Sequence, residues 1–222
     1  HECDRELQEQ ALDYILEEGK RLNSITRKMI KLSRIQPGLL NIERQDVKKM
    51  LETSLMAVRM KAGQKQIHFI SDIPEGIFCY GDREFLITMM ENVLDNAIKA
   101  SHEGGVIEVR AAGEGGALAY IQVTDHGIGI PADILDKIDQ PFFKGDKAHS
   151  QGGDGFGMGL AICKSVMLHH HGSLKYESVV GAYTTVTMRF PAADYLRLES
   201  PEQTDQVKKD SLWVYEASNI IR

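Results

Sequence analysis

Apolar residues recur at threes and fours along the first part of the chain. Leu12, Ile15, Gly19, Leu22, Ile25, Met29 and Leu32 share one side of a helix over residues 4–35. Glu17, Glu18, Lys20, Arg21, Arg27 and Lys28 occupy the other. So narrow a seam is of the coiled-coil kind and asks for a helical partner. The other use of such a stripe is to fold back on its own domain. Gln36-Pro37-Gly38 then stops the helix.

The pattern changes after this break. Leu39 to Glu43 reads as a short strand, and Asp46 as the N-cap of a helix carrying Val47, Met50, Leu51, Leu55, Val58 and Met60. Gln66 to Ser71 and Gly76 to Tyr80 read as strands around a turn cluster. Asp82 caps a central helix that Gly104-Gly105 ends. Val106 to Arg110 and Ala119 to Thr124 alternate as strands joined through Gly113 to Gly116. Ile134 to Ile138 is a short helix, and another opens at Gly155 to Leu160. Ser173 to Ser178 and Tyr183 to Phe190 form a last hairpin, turning near Gly181. Residues 192–222 are polar and mixed, with Leu212-Trp213-Val214-Tyr215 apolar enough to dock.

The central helix carries a local conflict. Asn92, Asn96 and Lys99 share one face, amid Phe85, Leu86, Met89, Met90, Val93, Leu94, Ala97 and Ile98. Asn is a poor mid-helix residue, because its amide competes for backbone partners. Two in one apolar helix mark a working site. Amide oxygens and water suit a Mg²⁺ ion that leans on phosphate oxygens, and Lys99 would meet phosphate charge. A polar stripe facing solvent is the plain alternative.

Two glycine-rich turns follow. Asp125-His126-Gly127-Ile128-Gly129-Ile130-Pro131 comes straight off a strand. Its glycines let the backbone turn sharply toward a ligand, and its carboxylate can accept from an exocyclic amine such as adenine's. Gln140-Pro141-Phe142-Phe143-Lys144 precedes a polar run, residues 144–154, with almost nothing to bury. It reads as a mobile lid, in which Lys144, Lys147 and His149 are candidate phosphate contacts. Gly155-Phe156-Gly157-Met158-Gly159-Leu160 then opens a helix whose free amides make an anion site. Its spacing is neither the Rossmann fingerprint nor a P-loop. His169-His170-His171-Gly172 invites a metal reading beside Cys163. Adjacent helix residues point about 100° apart, so a glycine-capped polar helix end is preferred.

Bulk composition narrows the class. The 222 residues are 42% hydrophobic and 26% charged, as in soluble globular proteins of one or two domains. A net charge of −6 argues against a general nucleic-acid binder. No apolar run approaches the roughly 18 residues of a membrane span. Cys3, Cys79 and Cys163 are few, odd in number and far apart, as reduced cytoplasmic thiols are. A start at His1 suggests a fragment of a longer protein.

Four of these pieces, in order, resemble the catalytic, ATP-binding domain of sensor histidine kinases, members of the GHKL or Bergerat-fold superfamily. Asn92-Val93-Leu94-Asp95-Asn96-Ala97-Ile98-Lys99 resembles the N box. Asp125-His126-Gly127-Ile128-Gly129 resembles the first glycine box, Pro141-Phe142-Phe143 the F box, and Gly155 to Leu160 the second glycine box. The resemblance implies an α+β fold, a Bergerat-type sandwich. Its mixed, largely antiparallel sheet has helices on one face and a long helix before it. Residues 39–191 would be the ATP-binding domain, residues 1–36 part of a dimerisation and phosphoacceptor hairpin, and residues 192–222 an extension.

Carried over by position, Asn92 and Asn96 serve Mg²⁺ and phosphates, Lys99 phosphate, and Asp125 the adenine amine. Gly127, Gly129 and Ile130 frame the nucleotide from the first box, and Gly155, Phe156, Gly157, Met158, Gly159 and Leu160 from the second. Phe143, Lys144 and Thr184 complete the ATP-binding set. No catalytic residue is assigned. The family's acceptor histidine lies on a first helix before a run like Glu-Leu-Arg-Thr-Pro, which His1-Glu2-Cys3-Asp4-Arg5 does not provide. The acceptor is therefore expected outside this sequence. Implied partners are a response-regulator receiver domain and a second copy of the parent protein, with no nucleic acid. The parent is expected at the inner face of the cell membrane.

The superfamily's hydrolases place a water-activating Glu four residues before the Mg²⁺-binding Asn. Counted back from Asn96, that position is Asn92, and Glu91 is turned about 100° away. A kinase is therefore favoured over a fast ATPase. An anti-sigma-type serine kinase is a further alternative, but such proteins usually lack a long leading helix.

Overall fold

The computed structural model describes residues 2–36, 39–143 and 157–191. Helix α1 (Glu2–Arg34) runs unbroken for 33 residues. Leu12, Ile15, Leu22 and Met29 of its seam are all at least half exposed. The helix's C-terminal end is tied down. There Lys31 Nζ donates to Thr88 Oγ1 at 3.1 Å, and Ile35 is buried in the core.

Strand β1 (Glu43–Asp46) starts later than the expected Leu39–Glu43 strand. The Leu39 N–H is taken by the Gln36 carbonyl and the Asn41 N–H by the Asp82 carboxylate, so pairing begins only at Glu43 opposite Gly81. Asp46 caps α2 (Val47–Gln64), accepting from the Lys49 N–H at 3.1 Å. The inner face of α2 is Val47, Met50, Leu51, Ser54 and Val58. Met60, expected among them, is 82% exposed, since the burial period selects Ala62 instead.

Strands β2 (His68–Asp72) and β3 (Phe78–Gly81) lead to α3 (Arg83–Ala100). Asp82 caps α3 by accepting from the N–H groups of Glu84 and Phe85. The helix stops at Ala100, short of Gly104-Gly105. Ser101 turns into extended backbone, and its hydroxyl closes onto the Ala97 carbonyl at 2.8 Å. Gly104, at φ +72, turns the chain toward the next strand.

Strands β4 (Val106–Glu114) and β5 (Ala117–Asp125) form a hairpin turning at Gly115-Gly116. Helix α4 is only Ala132–Leu135, shorter than the expected Ile134–Ile138 and shifted earlier, because Pro131 starts it. Helix α5 (Gly159–His169) precedes β6 (Ser173–Val179) and β7 (Tyr183–Arg189). At the end of α5, His171 takes the left-handed conformation expected of Gly172. Gly172 is needed for space instead, since a Cβ there would strike the Arg189 carbonyl and Met167.

The strands form one mixed sheet. Along one path the order is β1-β3-β5-β4-β2, and β7, carrying β6, also joins β5. Only the pairs β2·β4 and β3·β5 are parallel. Buried Ile107 and Val109 of β4 and Ile121 and Val123 of β5 alternate with polar Glu108, Arg110, Gln122 and Thr124. The apolar face packs against α3, which lies between α2 and α5. A mixed, mostly antiparallel sheet with helices against one face, behind a long leading helix, is the architecture expected. Among the described residues, no helix is long and apolar enough to cross a membrane. Cys79 and Cys163 are buried and unpaired, and burial pushes each thiol up to about 12.

Candidate functional site

The long β5 strand delivers Asp125 to the inner face at its C-terminal end. There it is opposite Thr184 of β7 in register and 5% exposed. Desolvation pushes its carboxyl up to about 6, against the pull of the Gly127 N–H, which donates to Oδ1 at 3.1 Å, and of His126. A buried acid so placed is a sensitive acceptor, because any donor brought to it replaces lost water.

The glycine turn after Asp125 is threaded between two backbones. A Cβ on Gly127 would strike the Ala100 carbonyl at the end of α3. Gly129, at φ +66, leaves no room before the Val179 carbonyl. Ser178 fastens the turn to the last hairpin. Its hydroxyl accepts from the Ile130 N–H at 2.8 Å, lies 3.0 Å from Thr184 Oγ1, and donates to the Tyr183 carbonyl at 2.8 Å. Ser178 escaped the sequence reading, since a lone strand serine carries no signal of its own.

A cavity of about 100 Å³ opens beneath this turn. Six of the sequence-predicted residues line it together: Asn96, Asp125, Gly129, Ile130, Leu160 and Thr184. Ala97, Ala100, Val123, Tyr176 and Val186 complete much of the wall. They were read only as helix and strand positions, and strand alternation alone could have placed Val123 on the Asp125 side.

The remaining predicted residues lie around the cavity or beyond the described chain. Asn92 donates from Nδ2 to the Thr88 carbonyl at 2.7 Å. That fixes the amide with its oxygen toward Gly159, where a Cβ would sit 3.1 Å from Oδ1. Lys99 does not line the cavity. It ion-pairs with Asp95 at 2.6 Å, the carboxylate one turn back along the helix. Gly157, at φ +64, packs against the backbone of Phe143, and its carbonyl accepts from the Phe142 N–H at 3.0 Å. The F box and second glycine box therefore meet. Buried Met158 begins α5 with no side-chain cap on its first amides. Lys144, Gly155 and Phe156, with Lys147 and His149 and the expected lid at 144–154, lie outside the described residues.

Asn92 and Asn96 carry hard amide oxygens one helical turn apart, and the Thr88 bond leaves Asn92 Oδ1 facing Gly159. That donor chemistry fits a hydrated Mg²⁺ carried with phosphates. Of the histidine run, His170 serves packing instead. His170 is 2% exposed, with Nδ1 2.7 Å from the Val166 carbonyl and Nε2 accepting the Asp82 N–H at 2.9 Å. Desolvation lowers its pKa, so the imidazole is held neutral.

Comparison with known proteins agrees with this geometry. The family model described as histidine kinase-, DNA gyrase B-, and HSP90-like ATPase matches residues 81–194, just over half of the chain. The sensor-like histidine kinase SenX3 of Mycobacterium tuberculosis is 34% identical over 193 residues, covering 85% of this chain and 47% of that protein. The sensor histidine kinase WalK of Bacillus subtilis is 29% identical, covering 78% of this chain and 29% of that one. The chain thus spans about half, or less, of the length of these curated relatives. Among solved structures, the mycobacterial sensor histidine kinase MprB superposes with TM-score 0.57 at 28% identity, over 68% of this chain and 97% of that one. The Acinetobacter baumannii histidine kinase AdeS gives TM-score 0.66 at 21% identity, over 82% of this chain and 84% of that one. With that family match over half of the chain, and with Asn96, Asp125, the first glycine turn and Leu160 lining one cavity, the chain belongs to the histidine kinase-, DNA gyrase B- and HSP90-like ATPase family.

Proposed function

We propose that this chain is the ATP-binding, phosphoryl-donating part of a sensor histidine kinase in a two-component system. The observation that carries the reading is that Asn96 of α3, Asp125 of β5, Thr184 of β7 and the first glycine turn line one cavity. Asp125 accepts from the adenine amine, and the apolar wall around Ala97 and Val123 takes the flat base. Phosphates leave the cavity toward the start of α5, where Gly159 and Leu160 open the helix without a side-chain cap, beside Asn92. Mg²⁺, held through Asn92 and Asn96, neutralises phosphate charge.

The same ridge speaks for transfer over hydrolysis. A general base must stand within hydrogen-bond reach of the water it activates. The position one turn before Asn96 is Asn92, an amide whose nitrogen is already spent on Thr88. The site therefore positions ATP and leaves the nucleophile to arrive from elsewhere, as an imidazole on a separate helix. That imidazole bonds to the γ-phosphorus as the bridging oxygen departs with ADP.

The wider reading follows from the same relatives. Residues 1–36 form part of the dimerisation and phosphoacceptor element, whose exposed seam pairs with a second copy. Residues 39–191 are the catalytic domain, and residues 192–222 an extension. The receiver domain of a response regulator takes the phosphoryl group onward, in the cytoplasm, from a parent attached to the membrane. Calorimetric titration of the purified chain with ATP, with and without Mg²⁺, tests the core of this. Mg²⁺-dependent binding with slow phosphate release is expected, and Asn96→Ala should abolish the binding. Fast steady-state release would turn the reading toward an ATPase.

A further inference from the structure

Lys99, read above as a phosphate contact, is already engaged. Its Nζ lies 2.6 Å from Asp95 Oδ2, while the other oxygen, Oδ1, takes Lys61 Nζ of α2 at 2.5 Å. One carboxylate is thus shared by two ammoniums on two helices. The Asp95 side chain is 20% exposed, against 46% for Lys99 and 63% for Lys61. Both lysines can therefore swing away at little cost, whereas the carboxylate is held in place. Asp95 is one residue from Asn96, about 100° around the helix, so the pair stands beside the cavity.

We propose that Asp95 is the positioning residue of Lys99. It is a built-in counter-ion that holds the ammonium beside the cavity until a triphosphate takes it over, and Lys61 sets how firmly it holds. The inference rests on the phosphate reading of Lys99. A merely structural Asp95 would tie α2 to α3, and removing either Asp95 or Lys61 would then act in the same direction. An exchanging counter-ion gives opposite signs. Asp95→Asn releases Lys99 to the phosphates. Lys61→Met leaves the whole carboxylate to Lys99 and strengthens the hold.

The test is titration of the full chain with Mg-ATP and, separately, with adenosine, which has no phosphate. Asp95→Asn should tighten Mg-ATP binding and Lys61→Met should weaken it, each by about two- to fivefold, the range open to exposed pairs. The double variant should behave like Asp95→Asn. Adenosine should bind all of them as it binds the parent, and the differences should shrink as salt is raised. Shifts of the same sign for the two single variants overturn the proposal, as does Asp95→Asn without effect where Lys99→Met weakens Mg-ATP. Lys99→Met without effect overturns it too, but locates the failure in the phosphate reading.

Discussion

Asp125 and Lys99 stand at opposite ends of the nucleotide reading, and the fold treats them differently. Asp125 is 5% exposed and fixed by strand register opposite Thr184, and its carboxylate accepts from the turn that follows it. Lys99 stands on an outer helix face, with its charge met by a neighbour. The base end is thus complete before any ligand arrives, at the cost of burying an acid. The proposed phosphate end is internally compensated by Asp95 and would have to exchange partners. Such a division puts base specificity into the folded sheet and leaves charge-dependent affinity adjustable.

The harshest way to break the contrast is at the turn that shapes the rigid end. Gly129→Ala places a Cβ against the Val179 carbonyl at a φ of +66, where neither backbone can yield. A loss of about 3–5 kcal/mol of stability is expected, from left-handed strain and overpacking together. Thermal melting should show it, with adenosine and Mg-ATP binding lost alike. A variant that melts normally and still binds would mean that the base end is softer than its packing implies.

Asp125→Asn sharpens the contrast with less damage. Removing the charged acceptor should weaken adenosine and Mg-ATP equally, by about 2 kcal/mol, the worth of a hydrogen bond to a charged group. Its effect on the unliganded fold has the opposite sign. The carboxyl sits near 6 when folded, against 3.8 ordinarily, so its ionised form is penalised by burial at neutral pH. Asparagine removes that penalty, and the unliganded variant should be more stable at pH 7 by about 1–3 kcal/mol. Binding that weakens without this gain would place the cost elsewhere than in the acid. By the same linkage, binding to the parent should weaken as pH falls through about 6, and the variant should lose most of that dependence.

How far the sequence could reach divides along the same line. The helix ridge was legible because Asn92 and Asn96 break an apolar pattern, and the turn because glycines flank an acid at a strand end. Thr184 opposite Asp125 was reached only by resemblance, since register is set by pairing between distant strands. Lys99 was placed on the face of Asn92 and Asn96, but its ion pair with Asp95 was not foreseen. An i, i+4 Asp95 was in plain view, yet its claim on the lysine depends on Lys61, contributed by another helix. Helix ends were misjudged where side chains closed them early, as Ser101 does for α3. Burial reversed the glycine logic at His171 and Gly172, where room mattered more than φ.

The smallest effect concerns His170, which belongs to neither end but anchors the helix that carries the ridge. Its Nε2 accepts the N–H of Asp82, the cap of α3, and so requires a neutral ring. Burial lowers its pKa below the ordinary 6.5. Its share of stability is therefore fully present above that value and fades as pH falls through the lowered one, the reverse of the Asp125 trend. In the parent the two partly cancel on acidification. In Asp125→Asn the histidine acts alone, and melting temperature should decline from pH 7 toward pH 5 by an amount corresponding to about 1 kcal/mol or less. Adding His170→Gln to that variant should flatten the decline, because an amide oxygen can accept from Asp82 without titrating. A decline that survives the double substitution would assign the acid sensitivity to some other group and leave the α3 cap independent of protonation.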